Sequence, residues 1–369
     1  MFRNNERATD VVILVNSDVK YDSRVRRLCQ VIKGKNLNGL VVCSKSDEKF
    51  VYGIPVVSLN VEKKGFKSFI QFALRSFLLL INTKFKAVIG CDLDALPSAR
   101  LASFLKRKTL IFDAHEYITG TEEARRSPWR HFLWELIEQI FIRLSPLGMT
   151  VNHSLANIFK NKYGVNYIVL RNIPFLESLS SPTQCLYPPA IIYAGTLSGD
   201  RKLDELLKAV ATLKFPVQVL ISGDGHYREK LQNLSKELGI SDRVTFLGMI
   251  SPSELKRLIA KSWVGVNLLS HNNINFYFSL ANKFFDYVHG GIPQITMDFP
   301  EYRQLNSEFQ VAILLKQAKA SQIAKAINKL YDNKQRYLIL KQNTLKARRQ
   351  WNFQKESKKL ISILRHVLN

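Results

Sequence analysis

Cysteine is scarce in this sequence, and its spacing carries no signature of a cross-link or a metal site. The 369 residues contain four cysteines, Cys29, Cys43, Cys91 and Cys185. No two of them form a C-x-x-C pair or another metal-ligand spacing, so neither a zinc site nor a disulfide framework is predicted. Cysteine usage of this kind is typical of a protein in a reducing cytosol.

Long apolar runs are also lacking. The first ten residues are polar and lead directly into a strand-sized apolar run, so no N-terminal signal segment is expected. The most apolar later stretch, residues 69–81, is interrupted by Gln71 and Arg75, and it is shorter than the about 20 residues that a membrane span needs. We therefore expect a cytoplasmic protein that is at most peripheral on the inner face of a membrane.

Acidic residues are outnumbered by basic ones, 30 against 54, which gives a formal net charge of +24. This excess is compatible with nucleic acid, an anionic membrane surface or phosphorylated substrates as partners. Residues 316–365 hold fourteen lysines and arginines against Asp332 and Glu356, in helix-like sequence without a known nucleic-acid-binding motif. We interpret this region as a solvated helical face that can also attract anionic lipid headgroups, and we expect no nucleic-acid partner.

Short apolar runs alternate with helix-like stretches along most of the chain. This pattern is typical of parallel α/β sheets covered by helices on both faces. The predicted strands form a first set at residues 11–16, 39–44, 55–59, 87–91, 109–113, 149–152 and 167–171, and a second set at residues 190–194, 217–222, 244–248, 264–269, 293–297 and 311–315. Residues 172–189, rich in proline and serine, predict a linker between the two sets.

The stretch Asn275 to Pro293 compresses a polar loop, a helix start and a glycine-terminated helix into nineteen residues. Ser279 is predicted as the N-cap, so the backbone N–H groups near Leu280 to Lys283 would point out of the positive end of a helix. Such an end binds phosphate, and Lys283 adds a full charge to it. The alternative interpretation is an ordinary amphipathic helix with an aromatic core face.

This stretch resembles the donor-site helix of GT-B glycosyltransferases, in particular the retaining family 4, whose members often read S-L-P-N-K-x-F-E-Y-x-x-x-G-x-P. Here the corresponding residues are Ser279 to Tyr287, followed by Gly291 and Pro293. Asp286 stands at the second acid of the family's E-x7-E motif, while Phe278 replaces the first. The resemblance therefore implies a nucleotide-diphosphate sugar as the donor, and it leaves the identity of the sugar open.

The resemblance extends over nearly the whole chain and implies a fold. The fold is α/β, with two Rossmann-like domains facing across a cleft and a C-terminal helix that crosses back to the first domain. We accordingly assign residues 1–173 and the closing helix, about residues 345–369, to an acceptor-side domain. Residues 174–344 are assigned to a domain that binds the nucleotide sugar.

Further donor-binding residues are implied in the second domain. The glycine-bearing loop after residue 193 resembles the family's diphosphate loop, with Gly195, Thr196 and Arg201 as candidates. The sequence ISGDGHYREKL resembles the family's I-x-G-x-G motif, and Phe246 to Ile250 lies where the nucleobase edge is expected. The implied donor-binding residues are Gly195, Thr196, Gly223, Gly225, Met249, Leu280, Ala281, Asn282 and Asp286.

Candidate residues of the first domain follow its predicted strands. Arg24 opens the first helix in a run that resembles the family's D-x-R-V-x-R sequence, although it is equally explained as part of a basic helix start. His115 and Glu116 end the strand TLIFD, where an imidazole can contact sugar hydroxyls or shuttle a proton. Asp94 belongs to a D-x-D pattern that suits a divalent metal, but the surrounding run matches the family instead. Arg24, Asp94 and Glu116 are therefore acceptor-side candidates, and no metal is expected.

Two segments combine aromatic and basic residues. Residues 64–80 and 125–145 place apolar side chains close to helical spacing, with lysines and arginines between them. Packing into the core is one interpretation, and contact with a membrane surface is the other. If the second holds, a lipid-linked acceptor is expected.

The sequence is interpreted as that of a glycosyltransferase acting on a lipid-linked or polysaccharide acceptor, with retention of configuration implied by the resemblance. His115, Arg201 and Lys283 are the catalytic candidates. Arg201 and Lys283, together with the helix N-terminus, would stabilise the leaving diphosphate without a metal or other cofactor. A nucleic-acid-binding protein and a GT-B sugar-nucleotide epimerase are the alternatives.

Overall fold

The computed structural model describes residues 9–61, 65–120, 127–178, 186–271 and 273–368. The chain forms two compact units. One comprises Met1–Asn172 with Glu356–Asn369, and the other comprises Ile173–Lys355. Cys185, part of the predicted linker and short pieces of the two aromatic and basic segments lie outside the described residues.

The first unit is built on an eight-stranded sheet. Its strands are β1 (Thr9–Val15), β2 (Gly39–Cys43), β3 (Phe50–Val51), β4 (Ile54–Ser58), β5 (Phe85–Cys91), β6 (Thr109–Ala114), β7 (Gly148–Thr150) and β8 (Ile168–Val169). They lie in the order β3-β4-β2-β1-β5-β6-β7-β8, and every neighbouring pair is parallel except β3 with β4. The sequence pattern did not predict the two-residue strand β3, which is too short to show a periodicity.

Helices connect these strands in the order expected for a parallel sheet. They are α1 (Ser23–Gly34), α2 (Gly65–Asn82), α3 (Asp92–Leu105), α4 (Pro128–Ile137) and α5 (His153–Tyr163), with a 3-10 turn at Ile118–Gly120 and a π-helix at Glu138–Ile142. Asp22 caps α1, since its side chain accepts hydrogen bonds from the N–H groups of Arg24 and Val25.

The second unit is built on a six-stranded sheet. Its strands are β9 (Ala190–Ala194), β10 (Gln218–Ser222), β11 (Val244–Gly248), β12 (Val264–Asn267), β13 (Gln294–Met297) and β14 (Ala312–Leu315). All neighbours are parallel in the order β11-β10-β9-β12-β13-β14. Every strand of the predicted second set is present, so the prediction of two Rossmann-like sheets is confirmed.

The helices of the second unit follow the same alternation. They are α6 (Leu203–Ala211), α7 (Arg228–Glu237), α8 (Pro252–Lys261), α9 (Ile274–Tyr277), α10 (Asn282–Gly290), α11 (Pro300–Glu308), α12 (Ala320–Asp332) and α13 (Lys334–Gln350), with 3-10 turns at Gly199–Arg201 and Ser241–Arg243. The last helix, α14 (Phe353–Leu368), belongs to the first unit from Glu356 onward. Residues 345–355, which the sequence assigned to the closing helix, stay with the second unit because Ala347 and Trp351 pack into its core.

Burial of the central strands explains why their sequences are apolar without alternation. Residues Val11 to Leu14 of β1 are fully buried, as are Ala190 to Tyr193 of β9. A parallel strand covered by helices on both faces has no solvent side and therefore no polar positions. Each unit encloses its own hydrophobic core.

Both sheets contain a point where the strand order reverses. In the first unit the chain passes from β1 to β2 on one side and to β5 on the other, and in the second unit β9 lies between β10 and β12. Ligands of open α/β sheets bind outside the carboxyl ends of the strands at such a point. The loops after β1, β5, β9 and β12 are therefore the places where functional side chains are expected.

The two aromatic and basic segments contribute to the core and to the surface. On α2, Phe72 and Leu80 are buried, while Ile70, Leu74 and Leu78 are exposed at helical spacing. The second segment carries an exposed apolar stripe, which comprises Trp129, Phe132, Leu136, Ile140 and Leu144. In the described ranges, no helix combines the length and the apolar character that crossing a membrane requires.

Candidate functional site

The start of α10 differs from the predicted one. Ser279 is not the N-cap, because the short helix α9 precedes it and its hydroxyl donates to the carbonyl of Phe276 at 3.0 Å. The N-cap is Ala281, whose extended backbone (φ −67°, ψ 138°) carries no side-chain acceptor for the first N–H groups of the helix. The positive end of α10 is thus available to an anion.

The far end of α10 agrees with the predicted glycine stop. Gly291 adopts the left-handed conformation (φ 73°) directly after the last helical residue, Gly290. At the N-terminal end, the N–H group of Ala281 donates to the hydroxyl of Tyr302 at 3.0 Å. Tyr302 is fully buried in the second unit. These contacts fix the position from which Lys283 extends.

Lys283 is a buried cation without an ordinary partner. It is 8% exposed, and its Nζ makes no hydrogen bond within the described part of the chain. The amine lies 3.8 Å from the centre of the Tyr193 ring. Burial lowers the pKa of Lys283 well below its ordinary value, and the charge of Arg201 lowers it further, while Asp286 has the opposite effect.

Arg201 is the second cation of this site. It ends the 3-10 turn Gly199–Arg201, and its guanidinium lies over the ring of Phe276 at 4.5 Å. Its buried Nε has no hydrogen-bond partner among the described residues. The N–H group of Ser270 donates to the carbonyl of Asp200 at 2.9 Å, which ties this turn to the loop after β12. The structure therefore places Arg201 in the turn after β9 and Lys283 in the first turn of α10, both within the second unit.

The predicted phosphate-loop glycines have an unexpected first role, because they allow two loops to interlock. The N–H group of Gly195 donates to the carbonyl of Ser222 at 2.9 Å, and that of Leu197 donates to the carbonyl of Asp224 at 3.0 Å. A Cβ at Gly223 would lie 2.0 Å from the carbonyl oxygen of Gly195, and one at Gly225 would lie 2.2 Å from that of Leu197. From the sequence, these glycines are predicted to admit a ligand, whereas in the structure Gly223 and Gly225 first admit the backbone of the neighbouring loop.

The remaining donor-site candidates lie in the same unit. Met249 follows β11 directly and is 66% exposed. Thr196 is exposed, and its carbonyl accepts a hydrogen bond from the Tyr193 hydroxyl at 2.7 Å. At the start of α10, Leu280 is buried and Asn282 exposed, and Asp286 is half-buried one turn further along. Met249 and the Gly195 loop thus follow parallel strands of one sheet, at its carboxyl edge.

In the first unit, Arg24 is a buried ion-pair partner. Its Nε and Nη2 donate to the two carboxylate oxygens of Asp113 at 2.8 and 2.5 Å, and its Nη1 donates to the carbonyl of Leu170 at 2.6 Å. Arg24 is 4% exposed. The prediction that Arg24 faces the acceptor is therefore corrected, because its guanidinium is engaged in holding Asp113.

His115 lies between two carboxylates. Its Nε2 is 2.9 Å from Asp113 and its Nδ1 is 3.1 Å from Asp92. Burial alone would lower the pKa of His115, but the charges of Asp92 and Asp113 outweigh it and raise the pKa well above its ordinary value. A charged imidazolium with both nitrogens engaged cannot accept a proton, so this arrangement favours a fixed charge over the proton shuttle that the sequence analysis considered. Glu116, the next residue, is exposed.

Asp94 lies beside this cluster at the strand-order reversal of the first sheet. Asn16, which follows β1, donates to the Asp94 carboxylate at 2.6 Å. Burial, together with the charge of Asp92, raises the pKa of Asp94 to about 7. Asp92 itself has a positive φ of 63°, a conformation that is strained in non-glycine residues. A carboxyl group that titrates near neutral pH can accept or release a proton under ordinary conditions.

Three residues at and beside His115 are close enough together to be candidate metal ligands. Cys91, Asp113 and His115 bring ligand atoms within 4.8 Å of one another. However, burial raises the pKa of Cys91 well above its ordinary value, which disfavours the thiolate that binds metals. Asp113 is already bound by Arg24 and His115. The donor set therefore fits a closed ion-pair network better than a metal centre.

Several residues that shape these sites were not among the predicted ones. Tyr193 supports Lys283, Phe276 supports Arg201, and Tyr302 binds the start of α10. In the first unit, Asn16 and Asp92 were missed. Their position along the chain is the sequence feature that could have identified two of them. Tyr193 is next to the last residue of β9 and Asn16 follows the last residue of β1, so both lie at the carboxyl ends of central strands, where ligands bind.

The comparisons with known proteins agree with this architecture. Residues 186–347 match the family model of glycosyl transferases group 1. No curated protein matches the chain. Among solved structures, HepE of Anabaena in complex with UDP and glucose is 16% identical, with a TM-score of 0.76 over 97% of this chain and 100% of that one.

Two further solved structures have the same fold. Sucrose-phosphate synthase of Thermosynechococcus elongatus is 14% identical, with a TM-score of 0.79 over 97% of this chain and 99% of that one. WaaG, a glycosyltransferase involved in lipopolysaccharide biosynthesis, is 12% identical, with a TM-score of 0.75 over 96% of this chain and 99% of that one. At these identities the likeness establishes the fold, which is the GT-B fold predicted from the sequence.

The interlocked loops lead to a stability prediction for Gly223. Gly223→Ala should lower the free energy of unfolding by more than about 3 kcal/mol, because the new methyl group collides with backbone that cannot move aside. Gly239→Ala is the matched control, since Gly239 also has positive φ (67°) but has nothing within 4 Å of an added Cβ. Strain alone should cost that variant roughly 1 kcal/mol. Equal losses for the two variants in urea unfolding would contradict the interlocked arrangement.

The doubly paired His115 leads to a prediction about pH. A pKa that is raised in the folded state stabilises the fold fully below the unfolded value, and this stabilisation is lost as pH rises through the folded value. The stability of the wild type relative to His115→Asn should therefore decrease above about pH 6.5, by up to about 1.4 kcal/mol per pH unit. Urea unfolding of both proteins from pH 6 to pH 9 measures this difference. A difference that is constant over this range would show that His115 is not charged in the folded state.

Proposed function

We propose that this protein is a glycosyltransferase, which transfers a sugar from a nucleotide-diphosphate donor to a lipid-linked or polysaccharide acceptor. The proposal is supported by residues 186–347, which match the family model of glycosyl transferases group 1, and by the GT-B fold of the chain. The donor binds the second unit, at the carboxyl ends of β9 and β12. Retention of the anomeric configuration is part of the proposal and is supported by the resemblance of α10 to the retaining family 4 motif. UDP is a natural first nucleotide to test, since HepE binds UDP together with glucose.

Two basic side chains with unsatisfied buried nitrogen atoms carry this proposal. Lys283 Nζ and Arg201 Nε are both buried without a hydrogen-bond partner in the described residues. An unsatisfied buried polar group costs about 1–3 kcal/mol, and more when it is charged. A diphosphate would supply acceptor oxygens to both cations and would meet the uncapped N-terminus of α10 at the same time.

The same groups stabilise the charge that develops during the reaction. As the bond between the sugar and the diphosphate breaks, negative charge grows on the leaving oxygen. Arg201, Lys283 and the N–H groups at the start of α10 stabilise that charge, so neither a metal nor a further cofactor is needed. Asp286 accepts hydrogen bonds from the ribose hydroxyls in this proposal, and the backbone around Met249 holds the nucleobase.

The first unit contributes the acceptor-side groups. His115 is proposed to act through the fixed charge of its imidazolium. Asp94, with a pKa of about 7, and the exposed Glu116 are proposed to contact acceptor hydroxyls. Arg24 acts indirectly, since it fixes the carboxylate of Asp113 that binds His115.

A donor screen tests the proposal directly. The melting temperature of the protein is measured with UDP-, GDP-, ADP- and dTDP-sugars, because a ligand that binds only the folded state stabilises it by an amount that increases with the logarithm of its concentration relative to Kd. A rise with one nucleotide is expected, and inclusion of the free sugars controls for nonspecific effects. If no nucleotide sugar raised the melting temperature while DNA did so with a steep salt dependence, the protein would be a nucleic-acid-binding protein instead.

Substitution of the two cations should lower turnover. Arg201→Ala and Lys283→Ala should each reduce sugar transfer or donor hydrolysis by roughly 10²-fold, since a lost transition-state donor is worth about 3 kcal/mol. Lys230→Ala is the matched control, because Lys230 also lies over a tyrosine ring, that of Tyr227, but is exposed. This control should retain wild-type turnover.

The metal-free proposal is tested in the same assay with Asp94→Asn. Activity of the wild type and of this variant should be unchanged by EDTA. Activity that vanished with EDTA and with Asp94→Asn, but persisted in Arg201→Ala and Lys283→Ala, would overturn the site and the mechanism together.

A membrane-facing surface is the second part of the proposal. The exposed apolar stripe from Trp129 to Leu144 has basic neighbours, including Arg130, whose guanidinium lies over the Trp129 ring at 5.3 Å, and Arg143. Apolar side chains flanked by cations match the interface of an anionic bilayer. A surface of this kind would bring the enzyme to a lipid-linked acceptor.

This surface should bind anionic vesicles. We expect the protein to sediment with phosphatidylglycerol vesicles at low salt and to be released by salt, because screening weakens the attraction of lysines and arginines to the headgroups. The double variant Trp129→Ser and Phe132→Ser should sediment less, while the control Leu338→Ser and Ile339→Ser, which alters exposed apolar residues of the second unit, should not. Absence of sedimentation by the wild type at low salt would remove the membrane proposal.

A further inference from the structure

Tyr193 occupies a position between the two loops of the proposed donor site. It is the second-to-last residue of β9 and is fully buried. Its hydroxyl donates to the carbonyl of Thr196 at 2.7 Å. Its ring face lies 3.8 Å from Lys283 Nζ. One side chain therefore contacts both the diphosphate loop and the cation proposed to bind the diphosphate.

Gly195 completes this arrangement from the other side. Its φ is 139°, and a Cβ at this residue would lie 3.0 Å from Lys283 Nζ and 3.3 Å from the Tyr193 hydroxyl oxygen. The absence of a side chain at Gly195 thus leaves room for the amine. Lys283 is enclosed between the Tyr193 ring and the Gly195 backbone, although neither offers its Nζ a hydrogen-bond acceptor.

Burial and a neighbouring cation disfavour the charged form of the Lys283 amine. Arg201 is that cation, and the phenol of Tyr193, whose pKa is raised by burial to about 12, supplies no negative charge. Asp286, on the same helix, is the acid whose charge favours protonation, but burial and Arg201 outweigh it and the pKa of Lys283 is lowered well below its ordinary value. An uncharged amine can still direct an N–H group at an aromatic face.

We propose that Tyr193 is a positioning residue of the donor site: its ring packs against the Lys283 amine and shields it from water beside Gly195, and the arriving diphosphate draws that amine off the ring. The inference rests on the proposed function, since it concerns the same donor. The Tyr193 hydroxyl has a separate role, because it binds the Thr196 carbonyl and thereby positions the diphosphate loop.

The proton balance gives this proposal a measurable signature. The amine takes up one proton from solvent as it forms an ion pair with the diphosphate; the new N–H bond is the only bond formed, and no bond of the donor breaks. The two phosphates of a nucleotide-diphosphate sugar are both esterified and do not titrate near neutral pH. Consider the pH range between the pKa of Lys283 in the free protein and its pKa in the donor complex. In this range the donor affinity should fall by up to about tenfold for each unit of rising pH.

Calorimetric titration measures the uptake of protons. UDP-glucose, or the GDP-, ADP- or dTDP-sugar selected by the donor screen, is titrated into the protein at pH 8 in two buffers that differ in ionisation enthalpy. The wild type should take up close to one proton for each donor bound. Lys283→Met should take up none, and it should also melt at a higher temperature than the wild type without donor, because an unpaired buried amine has been removed.

Two variants of Tyr193 separate the tasks of its ring and its hydroxyl. Tyr193→Phe keeps the ring, so it should retain proton uptake while the KM for the donor rises several-fold with little change in kcat. Tyr193→Leu removes the ring and admits water to the amine, so proton uptake should fall and the affinity should become less dependent on pH. Tyr287→Phe is the matched control, since Tyr287 is also fully buried and donates to the carbonyl of Val266 at 3.1 Å.

Tyr193→Phe and the control Tyr287→Phe each lose a buried hydrogen bond, so both should lower the melting temperature. Tyr287→Phe should leave the KM for the donor unchanged. Wild-type binding without proton uptake would overturn the inference, as would full uptake by Lys283→Met. A Tyr193→Leu variant with the pH dependence of the wild type would overturn the role of the ring. If no nucleotide sugar binds the wild type at all, the proposed function fails as well, so the two failures are distinguishable.

Discussion

The parallel arrangement of the strands is the constraint on which both candidate sites depend. Parallel strands bring all their carboxyl ends to one edge of a sheet, and the loops that follow them must therefore meet. In the second unit this constraint brings the Gly195 loop against the loop after β10, so closely that Gly223 has no room for a side chain. In the first unit it brings Asn16 and His115 to the same edge as Asp92 and Asp94.

The two units use this common geometry in opposite ways. In the first unit the charges are compensated, because Arg24 is bound by Asp113 and His115 lies between two carboxylates. In the second unit Arg201 and Lys283 lie against aromatic rings. A compensated network stabilises the fold and fixes its side chains, whereas basic side chains with unsatisfied buried nitrogen atoms are costly until an anion arrives. The second arrangement is the one expected of a site that binds a diphosphate.

Aromatic side chains have a specific part in the second arrangement. The rings of Tyr193 and Phe276 cover the Lys283 amine and the Arg201 guanidinium. Lys283 Nζ and Arg201 Nε have no hydrogen-bond partner in the described residues, so both remain available to the phosphates of the donor. The interlocked glycine loops supply the rigidity that such a site needs, since neither loop can move without displacing the other. Burial and rigidity together prepare the site electrostatically before a ligand binds.

The sequence by itself determined most of the strands and the loops in which the candidate sites are predicted. Uninterrupted apolar runs identified the parallel strands, and glycines after β9 and β10 identified loops at their carboxyl ends, because both signals are local along the chain. Only the tertiary structure decided what each charged residue does. Arg24 and Arg201 both lie beside a helix start in the sequence. Arg24 is bound in an ion pair, whereas Arg201 Nε has no hydrogen-bond partner in the part of the chain that the structure describes. Pairing and burial depend on residues far away in the chain, such as Asp113 for Arg24, and no local pattern contains that information.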